Sequence, residues 1–305
     1  MKVALLAGGT GGTKLAHGFA MLPDTDLAVI ANVGDDVEMH GHLVCPDIDA
    51  LLYTLSGLLD TDQGWGVRGD THTAQAMFER LGAPTWFRIG DADLATHAHR
   101  TQLMAEGASL TEAVVAMATA LGIGARILPA TDEQHRTMIE TDGGALGFQD
   151  YFVRLRQEPE VRGVSFEGEA RATDAVLAAI EGAELIVIGP SNPIVSIGPI
   201  LALPGIEESL QAADAPVVAV SPIIAGKALK GPADRMLASL GHESTALGVA
   251  RLYDGLVRRF VIDEQDAALA GEIESQTAIA VSVLPTVMHT DDDRASLARS
   301  LLDLA

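Results

Sequence analysis

Short apolar runs alternate with amphipathic stretches along most of the chain. Runs such as Val3–Ala7, Leu27–Ala31 and Leu185–Ile188 predict buried parallel strands, because a strand that is covered on both faces needs no polar alternation. Ala-rich stretches with helical periodicity, such as residues 109–121, separate groups of these runs. The pattern predicts the α/β class, with a Rossmann-like three-layer core around a mainly parallel sheet.

The middle of the chain departs from this pattern. Residues 72–125 predict mostly helices, whereas residues 126–168 are rich in short predicted strands, after which the α/β alternation resumes. We therefore predict an inserted helical and β region within one domain. The predicted ranges are 1–305 for the domain, about 1–60 and 170–305 for its core, and about 61–169 for the insertion.

Four aspartates follow the second predicted strand, within the stretch Asn32–Asp49: Asp35, Asp36, Asp47 and Asp49. Carboxylates gathered past the end of a strand suit a hard divalent cation or the activation of a hydroxyl nucleophile. Asp is also common in turns and at helix N-caps, so a solvated acidic loop with a cap explains the same residues. On these residues alone, both interpretations stay open.

A glycine-rich turn, G-G-T-G-G-T-K at residues 8–14, leads from the first strand into a helix. Backbone amides at such a turn can bind a phosphate or a carboxylate. Lys14 follows Thr rather than Gly, so the Walker A pattern fails, and the third Rossmann glycine is missing. The turn therefore favours a nucleotide over a dinucleotide. Ser191-Asn192-Pro193, at a later strand end, predicts a second anion site at a helix start.

The formal net charge of −22 repels nucleic acid and anionic membranes, so we expect neither as a partner. A phosphorylated ligand would need local positive charge, for which Lys227, Arg88 and Arg100 are candidates. Trp65, in a Gly-rich loop, could stack on a planar ring or act as a packing anchor. His97 and His99, two residues apart on a predicted helix, point in different directions and make a poor metal pair.

Other polar and aromatic residues have structural explanations. We interpret Asp91 and the acidic run Asp291–Asp293 as helix caps, and Phe148–Phe152 as core packing. Cys45 is the single cysteine, which excludes a disulfide framework and a cysteine zinc site. No apolar run is long enough to span a bilayer and no signal peptide is evident, so we expect a cytoplasmic protein.

Eight motifs occur in a specific order and are spread over residues 8–227. They are G-G-T-G-G at 8–12, N-V-G-D-D at 32–36, C-P-D-I-D at 45–49, G-D-A-D-L-A-T-H at 90–97, L-P-A-T-D at 128–132, F-Q-D-Y-F at 148–152, G-P-S-N-P-I-V-S-I-G-P-I-L at 189–201 and S-P-I-I-A-G-K at 221–227. The combination resembles the 2-phospho-L-lactate transferases of the CofD/FbiA type, which act in the biosynthesis of the deazaflavin coenzyme F420.

The resemblance implies a homodimer and a Mg²⁺-dependent phosphotransferase. In that chemistry, the ribityl hydroxyl of the deazaflavin Fo attacks the β-phosphorus of a GDP-linked hydroxy acid, GMP leaves, and a phosphodiester forms. The acyl group of the donor is of the 2-phospholactyl, phosphoenolpyruvyl or 3-phosphoglyceryl type, and the sequence does not indicate which.

The resemblance also implies roles for individual residues. Asp36 and Asp49 would be catalytic, and Asp35, Asp36 and Asp49 would bind the metal, with Asp47 as a neighbouring charge. The residues implied in Fo binding are Asp49, Arg88 and Trp65. Those implied in binding the nucleotide and its phosphates are Gly9, Thr10, Gly11, Gly12, Lys14, Ser191, Asn192 and Lys227. We expect Asp49→Asn to abolish transfer while leaving the fold intact, because such a carboxylate would add little to the core.

Two alternatives from other classes remain. The first is a non-catalytic regulator that binds nucleotide-linked metabolites, since relatives with a similar Gly-rich start exist. The intact motifs at 45–49 and 90–97 argue against it. The second is a nicotinamide oxidoreductase on a Rossmann core, which the glycine spacing disfavours.

Overall fold

The computed structural model describes residues 1–305 and contains fourteen strands, numbered in chain order. They are β1 (Lys2–Ala7), β2 (Asp26–Ala31), β3 (Val37–Met39), β4 (His42–Val44), β5 (Arg126–Pro129), β6 (Arg136–Thr141), β7 (Gly144–Gly147), β8 (Gly163–Glu167), β9 (Leu185–Ile188), β10 (Val217–Val220), β11 (Ile223–Ile224), β12 (Lys227–Ala228), β13 (Arg259–Asp263) and β14 (Ala280–Leu284). Seven of them form one parallel sheet in the order β14-β13-β10-β9-β1-β2-β5.

Twelve α-helices connect and cover the strands. They are α1 (Gly9–Ala20), α2 (Pro46–Leu55), α3 (Thr73–Arg80), α4 (Asp91–Ala105), α5 (Leu110–Ala120), α6 (Asp174–Glu181), α7 (Gly198–Leu201), α8 (Ile206–Ala212), α9 (Ala233–Ser239), α10 (Ala246–Leu252), α11 (Ala270–Gln276) and α12 (Asp291–Leu302). Two π-helical segments, Asp150–Arg154 and Pro193–Ile197, and a 3₁₀ segment, Glu264–Leu269, complete the list.

The core lies on both faces of the central sheet, as the apolar strands predict. Along β1, Ala4 and Leu6 face one side, whereas Val3, Leu5 and Ala7 face the other. Helices α1, α2, α5 and α12 cover the second side, and α6, α8, α10 and α11 cover the first. The predicted Rossmann-like three-layer α/β architecture is therefore confirmed.

The region between the two halves of the core holds helices α3, α4 and α5 and a separate antiparallel sheet in the order β7-β6-β8. Strand β5 also comes from the range predicted as an insertion, yet it pairs with β2 as an edge strand of the central sheet. Ile139 of the small sheet, with Phe148 and Tyr151 of the segment that follows β7, packs against Val195 and Met236. The aromatic motif that starts at Phe148 therefore packs as predicted.

The predicted caps are present, one of them on a different helix. Asp91 begins α4, but its carboxylate accepts the amides of Thr73 and Ala74 at 3.0 and 2.9 Å and so caps α3. Thr290 and Asp293 form a capping box at the start of α12. No helix is long and apolar enough to cross a membrane.

Strand β1 lies between β2 and β9, and the chain extends the sheet on one side of β1 toward β5 and on the other side toward β14. Open α/β sheets bind ligands at such a switch point, outside the carboxyl ends of the strands. Here the loop that starts at Gly8, the loop Asn32–Asp36 and the loop Gly189–Asn192 follow β1, β2 and β9. The topology therefore brings three of the predicted motifs to one edge.

Candidate active site

Asp47 ties two of the switch-point loops together. One carboxylate oxygen accepts the amide of Gly9 at 2.6 Å, and the other accepts the side-chain amide of Asn32 at 2.9 Å. The amide of Gly8 donates to the hydroxyl of Ser191 at 3.4 Å. Burial raises the pKa of Asp47, while the Asn32 and Gly9 hydrogen bonds oppose that rise. Asp47 thus accepts one of the amides at the start of α1 that have no partner within the helix.

The glycines of the first turn of α1 are required by close packing. A Cβ on Gly11 would collide with the carbonyl oxygen of Pro190, and one on Gly12 would lie 2.7 Å from the Ser191 hydroxyl and 2.8 Å from the Cβ of Ala7. The helix start therefore lies directly on the loop that follows β9. The nucleotide-binding role predicted for Gly9, Thr10, Gly11 and Gly12 stays a prediction. The first amides of an α-helix have no partner within the helix, and that of Gly9 is already bonded to Asp47.

Asp35 and Asp36 are buried carboxylates with unsatisfied oxygens. In each, Oδ1 is buried and has no hydrogen-bond partner. Burial and the neighbouring Asp47 raise the pKa of Asp35 well above its ordinary value. Burial raises the pKa of Asp36 to about 7, although Arg136 offsets part of the rise. Contacts with Asn32 and with Cys45 hold down the pKa of Asp35 and of Asp36, respectively, and the Oδ1 atoms that lack a partner can bind a cation or accept a proton.

These two aspartates line a cavity of about 420 Å³. The cavity lies between the loop that follows β2 and the small antiparallel sheet. Its wall combines carboxylates, a guanidinium, amides, two glycines and apolar side chains. The lining residues are Gly34, Asp35, Asp36, Val37, Glu38, Gln134, Arg136, Met138, Gly147, Phe148, Gln149 and Asp150. This volume falls in the range of small-molecule sites.

Asp49 lies in a different environment, inside a buried ion pair. Its carboxylate pairs with the guanidinium of Arg100 and accepts the amide of Cys45 at 3.2 Å. Nδ1 of His97 lies 3.3 Å from the same carboxylate. Burial alone would raise the pKa of Asp49, but Arg100 and His97 outweigh it and the pKa lies below its ordinary value. The negative charge of Asp49 is therefore balanced within the protein by Arg100 and His97.

The expectation that Asp49 adds little to the core is wrong. Asp49 is 4% exposed and Arg100 is fully buried, so a change at either position leaves a charge without its partner. The predicted catalytic, metal-binding and Fo-binding roles of Asp49 stay predictions. Its oxygens can reach a ligand only if Arg100 or His97 gives way.

A second carboxylate completes the buried network. Nε2 of His97 lies 3.3 Å from Asp93, which also accepts the hydroxyl of Tyr53 at 2.7 Å. Burial lowers the pKa of His97, but contacts with Asp49 and Asp93 have the larger, opposite effect, and the net result is a pKa raised to about 9. Asp49, Asp93 and His97 place one possible ligand atom each within 4.8 Å of one another. Arg100 and the His97 imidazolium already supply the positive charge that a metal would bring there.

The structure brings together the two surface residues predicted for Fo binding. The guanidinium of Arg88 lies over the ring of Trp65, 5.8 Å from its centroid, and its Nε donates to His72 at 3.1 Å. Ile89, the next residue, packs against Met39 and Val44 of the hairpin that follows Asp36. The pair is partly exposed and forms a planar surface against which an aromatic ring could stack.

The remaining predicted anion-binding residues are spread along the same edge. Lys14 donates to the carbonyl of Met288 at 2.8 Å, and burial, Arg294 and Lys230 lower its pKa. Asn192 caps the segment Pro193–Ile197 by accepting from Ile194 at 2.9 Å. Lys227 is exposed on β12 and forms no ion pair. The phosphate-binding roles of these residues stay predictions.

Comparison with known proteins identifies the family. The family model described as "2-phospho-L-lactate transferase CofD" matches residues 3–290. The chain belongs to this family. The resemblance inferred from the motifs is therefore confirmed, and the chain is a transferase of the CofD family.

Several CofD-type relatives match over nearly the whole chain. The phosphoenolpyruvate transferase of Streptomyces griseus is 41% identical over 314 residues, covering 100% of this chain and 98% of that protein. The 2-phospho-L-lactate transferase of Methanosarcina mazei is 42% identical over 267 residues, covering 87% of this chain and 88% of that protein. A solved structure, protein BH3568 of Bacillus halodurans, matches with a TM-score of 0.66 at 18% identity over 99% of both chains. That last likeness concerns the fold alone.

Two residues at the cavity of this CofD-family chain have no functional role predicted from the sequence. Arg136 lines the cavity, and Gln149, interpreted as core packing, donates from its side-chain amide to the carbonyl of Asp35 at 3.0 Å. A signal for Arg136 exists in its alternation with Met138, which places two cavity residues on one face of β6. Gln149 carries no such signal, because its neighbours are apolar core residues.

Proposed function

We propose that the chain transfers a phospho-hydroxyacyl group from a GDP-linked donor to the ribityl hydroxyl of Fo, releasing GMP, in coenzyme F420 biosynthesis. The observation that carries this proposal is the pair of buried carboxylates, Asp35 and Asp36, with unsatisfied oxygens beside a ligand-sized cavity in a CofD-family chain. Phosphoryl transfer depends on positioning and charge neutralisation more than on covalent catalysis. A switch-point edge lined by carboxylates suits that need.

Asp35 and Asp36 fit Mg²⁺ as ligands. Their buried oxygens are hard donors without hydrogen-bond partners, which is the donor set that Mg²⁺ prefers. When bound, the ion would neutralise charge on the diphosphate. Asp49, the third predicted ligand, would have to exchange its contacts with Arg100 and His97 for the ion.

The residues of this chain would divide the remaining work. Asp36 would orient the ribityl hydroxyl and accept its proton as the oxygen attacks the β-phosphorus. The bond between that phosphorus and the bridging oxygen breaks, and GMP leaves with the oxygen. The amides at the start of α1 and the Ser191–Asn192 turn would face the nucleotide phosphates, and Trp65 with Arg88 would bind the deazaflavin ring.

Product analysis tests the reaction. The purified chain is incubated with Fo, Mg²⁺ and, in turn, a GDP ester of lactate, enolpyruvate or glycerate, whose β-phosphate becomes the phosphate of the product. We expect one or more donors to give GMP and an Fo phosphodiester of the corresponding mass. Binding of Fo without turnover would contradict the proposal and favour a nucleotide-metabolite-binding regulator, and binding of NAD(P) would favour an oxidoreductase.

The variant Asp36→Asn tests the role of the carboxylate. We expect kcat to fall by about 10²–10⁴-fold, the usual contribution of a positioned general base, while Fo binding persists. Asp292→Asn is the matched control, because Asp292 is exposed in the first turn of α12. Turnover of Asp36→Asn within a few-fold of wild type would refute the assigned role.

We also propose that the chain forms a homodimer. The support is α3, which has no buried residue and leaves Met77 and Leu81 exposed by 50% and 74%. Light scattering after size exclusion should give about twice the chain mass of 31.8 kDa. A mass equal to one chain at micromolar concentration would contradict this.

A further inference from the structure

Strand β6 places one positively charged side chain next to the loop that carries Asp35 and Asp36. Along β6, Thr137 and Ile139 are buried, whereas Arg136 and Met138 alternate with them and line the cavity. The amide of Thr137 donates to the carbonyl of Gly34 at 2.8 Å, which docks β6 on the loop that carries Asp35. This hydrogen bond holds the adjacent residue, Arg136, at the mouth of the loop.

Arg136 has no carboxylate bound to it. None of the ion pairs in the structure involves its guanidinium. Its side chain lines the same cavity as Asp35 and Asp36 and forms no ion pair with either of them. An unpaired guanidinium offers up to five N–H donors in a planar fork that matches a carboxylate.

The rest of the cavity wall suits a small, partly apolar ligand. Met138 and Phe148 supply apolar surface, while Gly34 and Gly147 leave the wall without side chains at two positions. The cavity volume of about 420 Å³ accommodates an acid of a few carbon atoms attached to a phosphate. A carboxylate entering this acidic cavity meets Arg136 as its one cationic side chain.

We propose that Arg136 binds the carboxylate of the hydroxy-acid part of the donor and selects donors that carry this group. The proposal rests on the proposed function. Phosphoenolpyruvate and 2-phospholactate, the groups named in the relatives, share a carboxylate on the carbon that bears the phosphate and differ in the bond from that carbon to the next, which is double in the first and single in the second. A residue that binds the shared group accepts both, while Met138 and Phe148 face the part that differs.

Two small ligands that differ in one carboxylate isolate the contribution of that group to the binding affinity. 2-Phospholactate and isopropyl phosphate differ only in that a carboxylate of the first is a methyl group in the second. Their binding to the full chain with Mg²⁺ is measured by NMR titration. We expect wild type to bind 2-phospholactate about 10- to 100-fold more tightly, the effect of a charge-assisted hydrogen-bonded pair.

Variants of Arg136 then test whether this side chain causes the tighter binding of 2-phospholactate. Arg136→Gln should remove it by weakening 2-phospholactate alone, and Arg136→Lys should retain part of it, because lysine keeps the charge without the fork. Arg162→Gln is the matched control. Arg162 is an exposed arginine next to β8, in the same small sheet, and pairs with Asp142 and Glu160, so its change should leave both affinities as they are.

Two results would overturn the proposal: equal binding of both ligands to wild type, or equal weakening of both by Arg136→Gln. Melting temperatures check that each variant folds, and Arg136→Lys decides the question if Arg136→Gln does not. The titration needs neither Fo nor GMP release. A chain that binds 2-phospholactate through Arg136 but transfers nothing refutes only the proposed function, and transfer without a carboxylate preference refutes only the role of Arg136.

Discussion

Replacing Arg100 by methionine should destabilise the fold strongly. The guanidinium pairs with Asp49 and donates to the carbonyl of Leu43 at 3.0 Å, with Arg100 fully buried and Asp49 4% exposed. Removing one partner of a buried ion pair costs about 3–5 kcal/mol, because the other charge stays behind without compensation. Asp49 can take up a proton once Arg100 is gone, which keeps the loss within that range.

Thermal unfolding at pH 7 measures this loss. With a shift of about 2–4 °C per kcal/mol for domains of 150–250 residues, the melting temperature should fall by roughly 6–20 °C. Arg126→Met is the control. Its guanidinium lies 3.6 Å from Asp26, with both side chains about half exposed, and such a surface pair contributes about 0–1 kcal/mol.

A double variant separates the ion pair from the loss of packing. Asp49→Asn with Arg100→Met leaves no charge of this pair buried, so it should be more stable than Arg100→Met alone. The reasoning is refuted if Arg100→Met melts within about 2 °C of wild type, no further than the shift of a surface pair. It is also refuted if the double variant loses the sum of the two single losses, because an additive result means that the two side chains do not interact.

Two further perturbations test the buried network and the first turn of α1. The pKa of His97 is raised from 6.5 to about 9, so its stabilising contribution is complete below pH 6.5 and is lost as the pH rises through 9; urea unfolding should show wild type weakening across this window and His97→Gln showing a flatter profile. A matching slope in both proteins would mean that His97 is not the titrating group. Gly11→Ala should cost about 1–3 kcal/mol by overpacking against Pro190, whereas Gly124→Ala, where a Cβ meets nothing within 4 Å, should leave the urea midpoint almost unchanged.

Much of the fold follows from local sequence because parallel strands buried on both faces are continuous apolar runs. Val3–Ala7 and Leu27–Ala31 predict β1 and β2 directly. The place of β5 does not follow in this way. Its sequence, Arg126–Pro129, resembles those of the strands that follow it. Its pairing with β2 rather than with the small sheet is set by contacts with residues far away in the sequence.

The site likewise contains residues that the local sequence predicts and residues that it does not. Asp35 and Asp36 are predictable because a strand end and two carboxylates lie next to each other in the sequence. The partner of Asp49 is not, since Arg100 is brought to it by the packing of α4 against β4 and α5. A local signal existed, because Asp93, His97 and Arg100 follow the helical spacing i, i+4, i+7. That spacing puts three polar side chains on one face of α4, and all three are buried.

The two aspartate pairs that looked alike in the sequence differ in charge balance, and this difference decides what each can do. The charge of Asp49 is balanced inside the protein by Arg100 and the His97 imidazolium, so binding a cation there would require breaking a buried ion pair. Asp35 and Asp36 have no such partners, and each keeps an unsatisfied buried oxygen. Because leaving those oxygens unpaired is itself unfavourable, a cation or a proton is stabilised there by the fold. We infer that Asp35 and Asp36 bind the ligand and that Asp49 anchors the inserted helix α4 to the core beside them.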